Sequence, residues 1–454
     1  MVYRPNLESE FNSLIERINP PRVCIDNDSL EDCTLVKVDS ANKHGILLEM
    51  VQVLTDLDLY ISKSYIVSDG GWLMDVFHVT DHLGNKITDE SLLLYIQQAM
   101  CATRRERPQH VATDKTALEI TGMDRPGLMS EISAVLAELG CHVTTAVAWT
   151  HNTRAACIIY LEDDIKGGSI ADTGRAARVL AQLQNVVEAH HQDGERRSVS
   201  WAAPANGPIN AERRLHQLMS ADSDFGEFES GERRVERDGT MVTIDYWKER
   251  GYSVVNVKSR DRPKLLFDTV CALTDMQYVV FHAAISSKGS MAIQEYYIRH
   301  KDGCTLDSES ERRKVSQCLF AAIERRVSHG MRLDVSTENR TGLLADVTRA
   351  LRENGLSITR AEIGKRGEGA VGSFYVADAW GQDVGPAVAE MVRQKIGGTL
   401  LVVNESSGWP RQTGESTKAE GKGSGEDTRP RFSLGTLLWS QLERFSSNFK
   451  TVKS

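Results

Sequence analysis

The chain has 454 residues, of which 41% are hydrophobic and 26% are charged, values typical of soluble proteins with two to four domains. Its 63 acidic and 54 basic residues give a net charge of -9, which argues against a general nucleic-acid-binding protein. No apolar run is long enough to span a bilayer, and the N-terminus lacks the apolar core of a signal peptide, so we expect no integral membrane association.

The first predicted elements are a strand, a turn and a helix. Val36 and Val38 flank the polar Lys37, an alternation typical of a strand with one buried face. Gly45 follows, and from Ile46 the apolar residues have the spacing of an amphipathic helix. The same order returns three times around equivalent positions, which we call the turn residues: Gly45, Gly127, Lys264 and Gly342. The chain therefore contains four repeats.

Each repeat continues with a second strand, a third strand and a second helix. The second helices are predicted near 89–101, 172–184, 309–326 and 386–396. The order is that of an α+β, ferredoxin-like βαββαβ unit, in which two helices cover one face of an antiparallel sheet. A fourth strand is predicted at 197–201 in repeat 2 and 399–404 in repeat 4, and is expected to be short or missing in repeats 1 and 3.

The repeats and the segments between them divide the chain into seven parts. These are an N-terminal segment (1–33), repeat 1 (34–112), repeat 2 (113–203), a linker (204–250), repeat 3 (251–328), repeat 4 (329–404) and a tail (405–454). Because repeats 1 and 2 follow each other closely, as do repeats 3 and 4, we predict two pairs of consecutive repeats. A short helix is predicted over 211–220, and the Glu-Arg-Arg triplets of the linker are interpreted as solvated.

The composition of the tail predicts two parts. Residues 405–430 are rich in Ser, Gly, Lys and Glu and are predicted to be disordered. The final segment has apolar residues at helical spacing and is predicted to form an amphipathic helix that docks on the repeats or contacts a partner or a membrane surface.

Four aligned motifs carry a resemblance to a known family. They are Asp39-Ser-Ala-Asn-Lys-His-Gly-Ile-Leu-Leu48, Asp124-Arg-Pro-Gly-Leu128, Asp261-Arg-Pro-Lys-Leu-Leu-Phe-Asp268 and Asn339-Arg-Thr-Gly-Leu-Leu344. With the linker and the tail, they resemble the plant ACT-domain repeat proteins over nearly the whole chain. The resemblance implies four ACT domains that bind amino acids and serve in sensing or regulation.

The repeats also resemble the sensory ACT pair of bacterial uridylyltransferases, which respond to glutamine. That resemblance makes free glutamine a candidate ligand. The catalytic domains of those enzymes have no counterpart here, since none of the 12 histidines is followed by aspartate. We find no nucleophile–base pair, metal site or cofactor motif, and we predict that the protein is not an enzyme.

The turn before each first helix is the predicted ligand site. Glycine permits close backbone approach, and a helix N-terminus offers unpaired N–H groups that suit a ligand carboxylate. In ACT pairs the ligand usually lies between this turn and the neighbouring module. The predicted ligand-binding residues are Asn42, Lys43, His44, Gly45 and Ile46 in repeat 1, Asp124, Arg125, Pro126, Gly127 and Leu128 in repeat 2, and Asn339, Arg340, Thr341, Gly342 and Leu343 in repeat 4.

Repeat 3 is the least favoured site. Asp261 and Arg262 keep the motif, but Lys264 replaces the glycine and its side chain would crowd a pocket. The competing interpretation of every turn is helix initiation without a ligand, in which Asp124 and Asp261 cap the helices. The acids four residues after the turn residues, such as Glu49, are interpreted as solvent-facing charges that favour the helix dipole.

Two functions therefore remain open. The first is a non-catalytic regulatory protein that binds an amino acid at the interfaces between modules. The second is a ligand-free scaffold for protein interactions. A protein partner is expected, self-association is left open, and the eight cysteines, with no Cys-x-x-Cys pair, predict free thiols in the cytoplasm or nucleus.

Overall fold

The structure is a computed structural model that describes residues 21–69, 71–101, 116–189, 196–202, 210–225, 239–247, 249–327, 331–366, 369–378, 386–396 and 399–403. The predicted disordered stretch and amphipathic helix of the tail lie outside the described residues. Among the residues described, no helix is long and apolar enough to cross a membrane.

Each repeat places two helices on one face of a four-stranded antiparallel sheet. Repeat 1 comprises β1 (Arg22–Asp26), β2 (Thr34–Ala41), α1 (Ile46–Asp56), β3 (Tyr60–Asp69), β4 (Trp72–Thr80) and α2 (Glu90–Cys101). Repeat 2 comprises β5 (Thr116–Met123), α3 (Leu128–Glu138), β6 (Cys141–His151), β7 (Arg154–Asp163), α4 (Thr173–Glu188) and β8 (Ser198–Trp201). The linker forms α5 (Ala211–Ala221). Repeat 3 comprises β9 (Met241–Trp247), β10 (Tyr252–Arg260), α6 (Leu265–Asp275), β11 (Tyr278–Lys288), β12 (Met291–His300) and α7 (Glu309–Glu324). Repeat 4 comprises β13 (Met331–Glu338), α8 (Leu343–Glu353), β14 (Leu356–Arg366), β15 (Gly369–Asp378), α9 (Pro386–Ile396) and β16 (Thr399–Val403).

The sixteen strands form two eight-stranded sheets. Sheet A has the order β1-β2-β4-β3-β11-β12-β10-β9, and sheet B has the order β16-β13-β15-β14-β6-β7-β5-β8. Sheet A therefore joins repeat 1 to repeat 3, and sheet B joins repeat 2 to repeat 4. The predicted fold class and the grouping into two pairs are confirmed, but the prediction that consecutive repeats pair is wrong.

The pairing is made through the second strand of each repeat. In sheet A, β3 and β11 are antiparallel neighbours, with Tyr65 opposite Ala284. In sheet B, β6 and β14 are antiparallel neighbours, with Ala148 opposite Ala361. A second strand has one free edge in its own module, and this edge can pair with any equivalent edge. Closeness along the chain therefore does not determine which modules join.

The fourth strand position is filled in all four repeats. Strands β8 and β16 follow their repeats as predicted. In repeats 1 and 3 the position beside the first strand is taken by β1 and β9, which come before the repeat in the chain. These two strands lie in the stretches assigned to the N-terminal segment and the linker, and we propose to count them with the modules that they complete.

Two apolar cores lie between the sheets and their helices. One combines side chains from repeats 1 and 3, and the other combines side chains from repeats 2 and 4. The predicted free thiols are confirmed for all eight cysteines, although Cys24 and Cys304 are exposed rather than buried.

The linker helix α5 confirms the predicted short helix and joins the two sheets. Its Leu215 and Met219 are buried against Trp149 and Ile158, on the face of sheet B that carries no repeat helix. On its other side α5 contacts α6 of repeat 3. Helix α5 of the linker is therefore packed between repeat 3 and sheet B.

Candidate functional site

The four turns share one backbone geometry. The turn residues have left-handed φ angles of 88° at Gly45, 84° at Gly127, 64° at Lys264 and 77° at Gly342. Lysine accepts this conformation at a cost of about 1 kcal/mol, which glycine does not have. The left-handed conformation is thus kept at all four positions, including the one that lacks glycine.

The first helices have no side-chain cap. None of the four turn residues accepts a hydrogen bond from its helix through a side chain. By contrast, Asp172 accepts hydrogen bonds from Gly174 and Arg175 at the start of α4, and Ser308 accepts one from Glu311 at the start of α7. Asp124 accepts from the N–H of Arg125 and the hydroxyl of Thr150, and Asp261 accepts from the hydroxyl of Tyr60, so the interpretation that these acids cap the first helices stays a prediction. The first N–H groups of α1, α3 and α8 donate to the carbonyls of Lys43, Arg125 and Arg340, so an outside acceptor would meet the N–H groups that follow them in the first turn.

The arginine of the turn contacts its own module. In repeat 2 Arg125 donates to Glu131, with Nη1 3.1 Å from Oε1, and to the carbonyl of Val186 at 3.2 Å. In repeat 3 Arg262 donates to Asp268 at 2.7 Å, and in repeat 4 Arg340 pairs with Asp346. The acid four residues after the turn residue thus anchors the arginine two residues before it.

The interpretation of these acids as solvent-facing charges is wrong for Asp268, whereas Glu131 and Asp346 remain partly exposed. Asp268 is fully buried, and it also accepts from His216 at 2.8 Å and from Arg326 at 2.8 Å. Burial alone would raise the pKa of Asp268, but the guanidinium groups of Arg326 and Arg262 hold it well below its ordinary value. The signal for this contact was available, because an arginine and an acid recur six residues apart in three repeats.

A cavity of about 600 Å³, including space open to solvent, lies at the turn of repeat 2. Its walls come from the turn, from strands β6 and β7, and from α8 and β14 of repeat 4. Its lining residues include Asp124, Leu128, Cys157, Arg352 and Thr359. A Cβ atom on Gly127 would lie 2.8 Å from Cδ of Arg352, so glycine permits this close approach. Burial raises the pKa of Asp124 to about 6.

A second cavity of about 370 Å³ lies at the turn of repeat 3. Asp261, Lys264, Ser287 and Gln294 line it from repeat 3, and Thr55, Leu59 and Tyr60 line it from repeat 1. The hydroxyl of Tyr60 donates to Asp261 across the module interface. The Nζ atom of Lys264, expected to crowd a pocket, lies 2.7 Å from Oε1 of Glu212 on α5.

The turns of repeats 1 and 4 contact their partner modules directly. In repeat 1 the Nε2 atom of His44 lies 3.0 Å from the carbonyl oxygen of Thr274, while Asn42 donates to Ser68 at 2.8 Å. In repeat 4 the Nδ2 atom of Asn339 lies 3.3 Å from Nε2 of His142, and Thr341 donates to Asp164. All four turns thus lie at interfaces between paired modules.

The sequence did not reveal which residues the partner module contributes to the cavity walls. Thr55, Leu59 and Ile61 of repeat 1 have the same offsets from their turn residue as Arg352, Leu356 and Ile358 of repeat 4. Both sets run from the last turn of the first helix into the second strand. The four-fold repeat marks these positions, but only the pairing shows that they face a neighbour's turn.

A buried ion network connects the two cavities through α5. Arg326 lies 3.1 Å from Glu212 and 2.8 Å from Asp268, and its guanidinium lies 4.7 Å from the ring of Trp149. Trp149 lines the first cavity, and Lys264, which also pairs with Glu212, lines the second. Glu212 belongs to a triplet interpreted as solvated, and that interpretation is wrong for this residue.

Among the residues described, no group of three or more His, Cys, Asp or Glu side chains could hold a metal ion.

Comparison with family models places three of the modules. Residues 29–107 match the model described as the ACR family N-terminal ACT domain, and residues 117–192 and 331–390 match ACT domain models.

The chain is similar to curated proteins over its whole length. It is 52% identical to ACT domain-containing protein ACR1 of Arabidopsis thaliana, covering 100% of this chain and 99% of that protein. It is 47% identical to ACT domain-containing protein ACR4 of the same plant, covering 100% of both. A bifunctional uridylyltransferase/uridylyl-removing enzyme of Azospirillum brasilense is 37% identical over 48% of this chain and 22% of the enzyme.

Proposed function

The chain belongs to the ACR family of ACT domain-containing proteins, and on that premise we propose that it is a non-catalytic regulatory protein that binds a free amino acid. The ligand lies between paired modules, against the turn that starts each first helix. We place the protein in the cytoplasm, the nucleus or both. Glutamine is a candidate ligand through the resemblance to uridylyltransferases alone.

The observation that carries the proposal is an uncapped helix start facing a cavity between modules. It occurs in both pairs, at α3 beside the larger cavity and at α6 beside the smaller one. Helix N-termini without a cap favour an anion, and an amino acid supplies its carboxylate. Asp124 and Asp261 line the same cavities and suit the ammonium group.

The location of the ligand suggests how binding is sensed. A molecule held between two modules contacts both, so it stabilises one relative placement of the modules over others. The network through Arg326 and α5 links each cavity to the opposite pair. Binding in a cavity would therefore change surfaces to which a protein partner binds.

The test is calorimetric titration of the intact protein with each of the twenty amino acids, for the natural chain and for Gly127→Leu. We expect at least one amino acid to bind, and the substitution to remove the repeat 2 site because leucine obstructs the cavity. The matched control is Gly84→Leu, since Gly84 has the same φ of 84° but no neighbouring atom within 4 Å. Absence of heat and of thermal stabilisation with every amino acid would refute the proposal.

The alternative is a ligand-free scaffold. It is favoured by the direct contacts at repeats 1 and 4, where His44 meets Thr274 and Asn339 meets His142 without an intervening molecule. A scaffold would keep binding its protein partner after Gly127→Leu, provided that the fold survives. Loss of partner binding in Gly127→Leu alone, with Gly84→Leu unaffected, would exclude it.

A further inference from the structure

One residue of the third strand occupies an equivalent place in all four modules. It lies thirty positions after the turn residue: Asp75, Cys157, Gln294 and Gly372. Cys157 lines the cavity at the repeat 2 turn, and Gln294 lines the cavity at the repeat 3 turn. We call this place the floor position, because its side chain faces the helices from the middle of the sheet.

In repeat 1 the floor position holds a carboxyl group. Asp75 is 1% exposed and lies on β4 between Val38 of β2 and Ile66 of β3. Cys157 and Gln294 have the same placement between first and second strands in their own repeats. Asp75 therefore takes in repeat 1 the place that lies beside the turn cavity in repeats 2 and 3.

The buried carboxyl group of Asp75 has no hydrogen-bond partner among the described residues. In the same described part of the chain, the hydroxyls of Ser40 and Ser64 on the same sheet face are also unpartnered. Both serines are diagonal neighbours of Asp75 on the adjoining strands. A buried polar group without a hydrogen bond costs free energy, and a carboxylate costs more than a hydroxyl. Three such groups on one face indicate a place built to meet a bound molecule.

Repeat 1 also differs in the turn itself. Where repeats 2 and 3 have Asp124 and Asp261, repeat 1 has Asn42, so its acid lies on the floor instead of in the turn. The helix start at α1 is uncapped, as in the other repeats, and suits a carboxylate. A ligand that meets both groups has a carboxylate for the start of α1 and a hydrogen-bond-donating cation for Asp75.

The width of the site restricts the part between these ends. Leu73 stands two residues before Asp75 on the same face, where the other three repeats have Ala155, Ala292 and Ala370. Because leucine fills space that alanine leaves open in the other repeats, a slender ligand suits repeat 1 better than a bulky one.

We propose that the repeat 1 site binds a basic amino acid of the lysine or ornithine type, with its α-carboxylate at the start of α1 and its side-chain ammonium on Asp75. Ser40 and Ser64 accept the remaining ammonium hydrogens. This inference rests on the proposed amino-acid-binding function and assigns a ligand class to one of its sites.

The test is calorimetric titration of the full chain with lysine, ornithine and norleucine, the last having a side chain similar to that of lysine without the ammonium group. We expect lysine or ornithine to bind at least tenfold more tightly than norleucine. Asp75→Asn, which keeps the shape of the side chain, should weaken that binding at least tenfold, and Ser40→Ala should weaken it less. The control is Asp28→Asn, an exposed acid of the same repeat, which should leave binding unchanged.

The outcomes separate this inference from the proposed function. Equal binding of lysine by the natural chain and by a folded Asp75→Asn variant would overturn the inference. Binding of other amino acids, with neither lysine nor ornithine bound, would also overturn it and leave the proposed function standing. No binding of any amino acid would overturn both.

Discussion

The two sheets are built from the same module but completed in different ways. Sheet A takes its outer strands β1 and β9 from the chain before each repeat, whereas sheet B takes β8 and β16 from the chain after each repeat. The four-stranded module is the same in both. The comparison shows that the first strand of each module is covered by an outer strand, and that the chain before or after the module can supply this strand.

The same contrast appears in the cavities. The cavity in pair 2/4 is the larger one and has Cys157 and Trp149 in its walls, whereas the cavity in pair 1/3 is smaller and has Gln294, Ser287 and Tyr60. The turn geometry that presents the helix start is common to both. Backbone repetition therefore places a cavity beside the turn in each pair, while a few side chains at equivalent positions set the chemistry of its walls.

The largest expected effect concerns the contact between the pairs. Replacing Arg326 with alanine leaves Asp268 buried without its main partner, so we expect a loss of about 3–5 kcal/mol in the free energy of unfolding. Chemical denaturation measures it. The control is Arg393→Ala, which removes an exposed ion pair with Glu390 and should cost far less. A similar small loss for both variants would show that the two pairs do not depend on this network.

The next effect is a pH dependence of the free energy of unfolding that comes from repeat 1 alone. Burial raises the pKa of Asp75 well above its ordinary value, so the folded chain holds a proton that the unfolded chain releases. The contribution of this proton to the free energy of unfolding is complete below about pH 4. It is lost as the pH rises from there to the raised pKa, at about 1.4 kcal/mol per pH unit. Denaturation of the natural chain and Asp75→Asn across this range should show the difference in slope. Parallel curves would contradict a proton held at Asp75.

A tenfold change in ligand affinity is expected in the pair formed by repeats 2 and 4. The pKa of Asp124 is raised to about 6 by burial, so the ionised form that attracts an ammonium group gains population between pH 5 and pH 7. The ionised fraction of Asp124 rises about tenfold between pH 5 and pH 7. The affinity of the repeat 2 site for an amino acid should therefore rise by about the same factor. Titrations at several pH values measure it, and Asp124→Asn should remove the dependence. A pH dependence that persists in that variant would assign it to another group.

The smallest effect concerns the one turn that lacks glycine. Lys264→Gly relieves a left-handed lysine, a gain of about 1 kcal/mol, but removes the ion pair with Glu212. We expect the two changes nearly to cancel, so that the thermal unfolding midpoint moves little. A large loss would show that the pairing of Lys264 with Glu212 is a main stabilising contact of the linker helix.

The repeat allowed the modules and their turns to be predicted from the sequence, because both depend on local patterns. Alternating apolar residues predict the strands, and a glycine before an amphipathic stretch predicts the turn. The partners of each module could not be predicted in this way. The free edges of β3, β6, β11 and β14 are equivalent, and no local pattern distinguishes which two of them meet.

The burial of charged residues also could not be predicted locally. Glu212 and Asp268 have the sequence surroundings of solvated helix residues, yet both are held inside by Arg326, which is 114 residues from Glu212. Only the position of α5 between the sheets brings them together. The residues of the ligand site that come from the neighbouring module were missed for the same reason.

The interleaved order of the modules has a consequence for synthesis. When the ribosome has released repeats 1 and 2, it has made half of each sheet, and the edges of β3 and β6 still await β11 and β14. Open strand edges readily pair with other chains, so the nascent protein passes through a stage that favours aggregation. Cutting the gene into two halves would leave each product with two unfinished sheets, and the two fragments would have to be made together to give a folded protein.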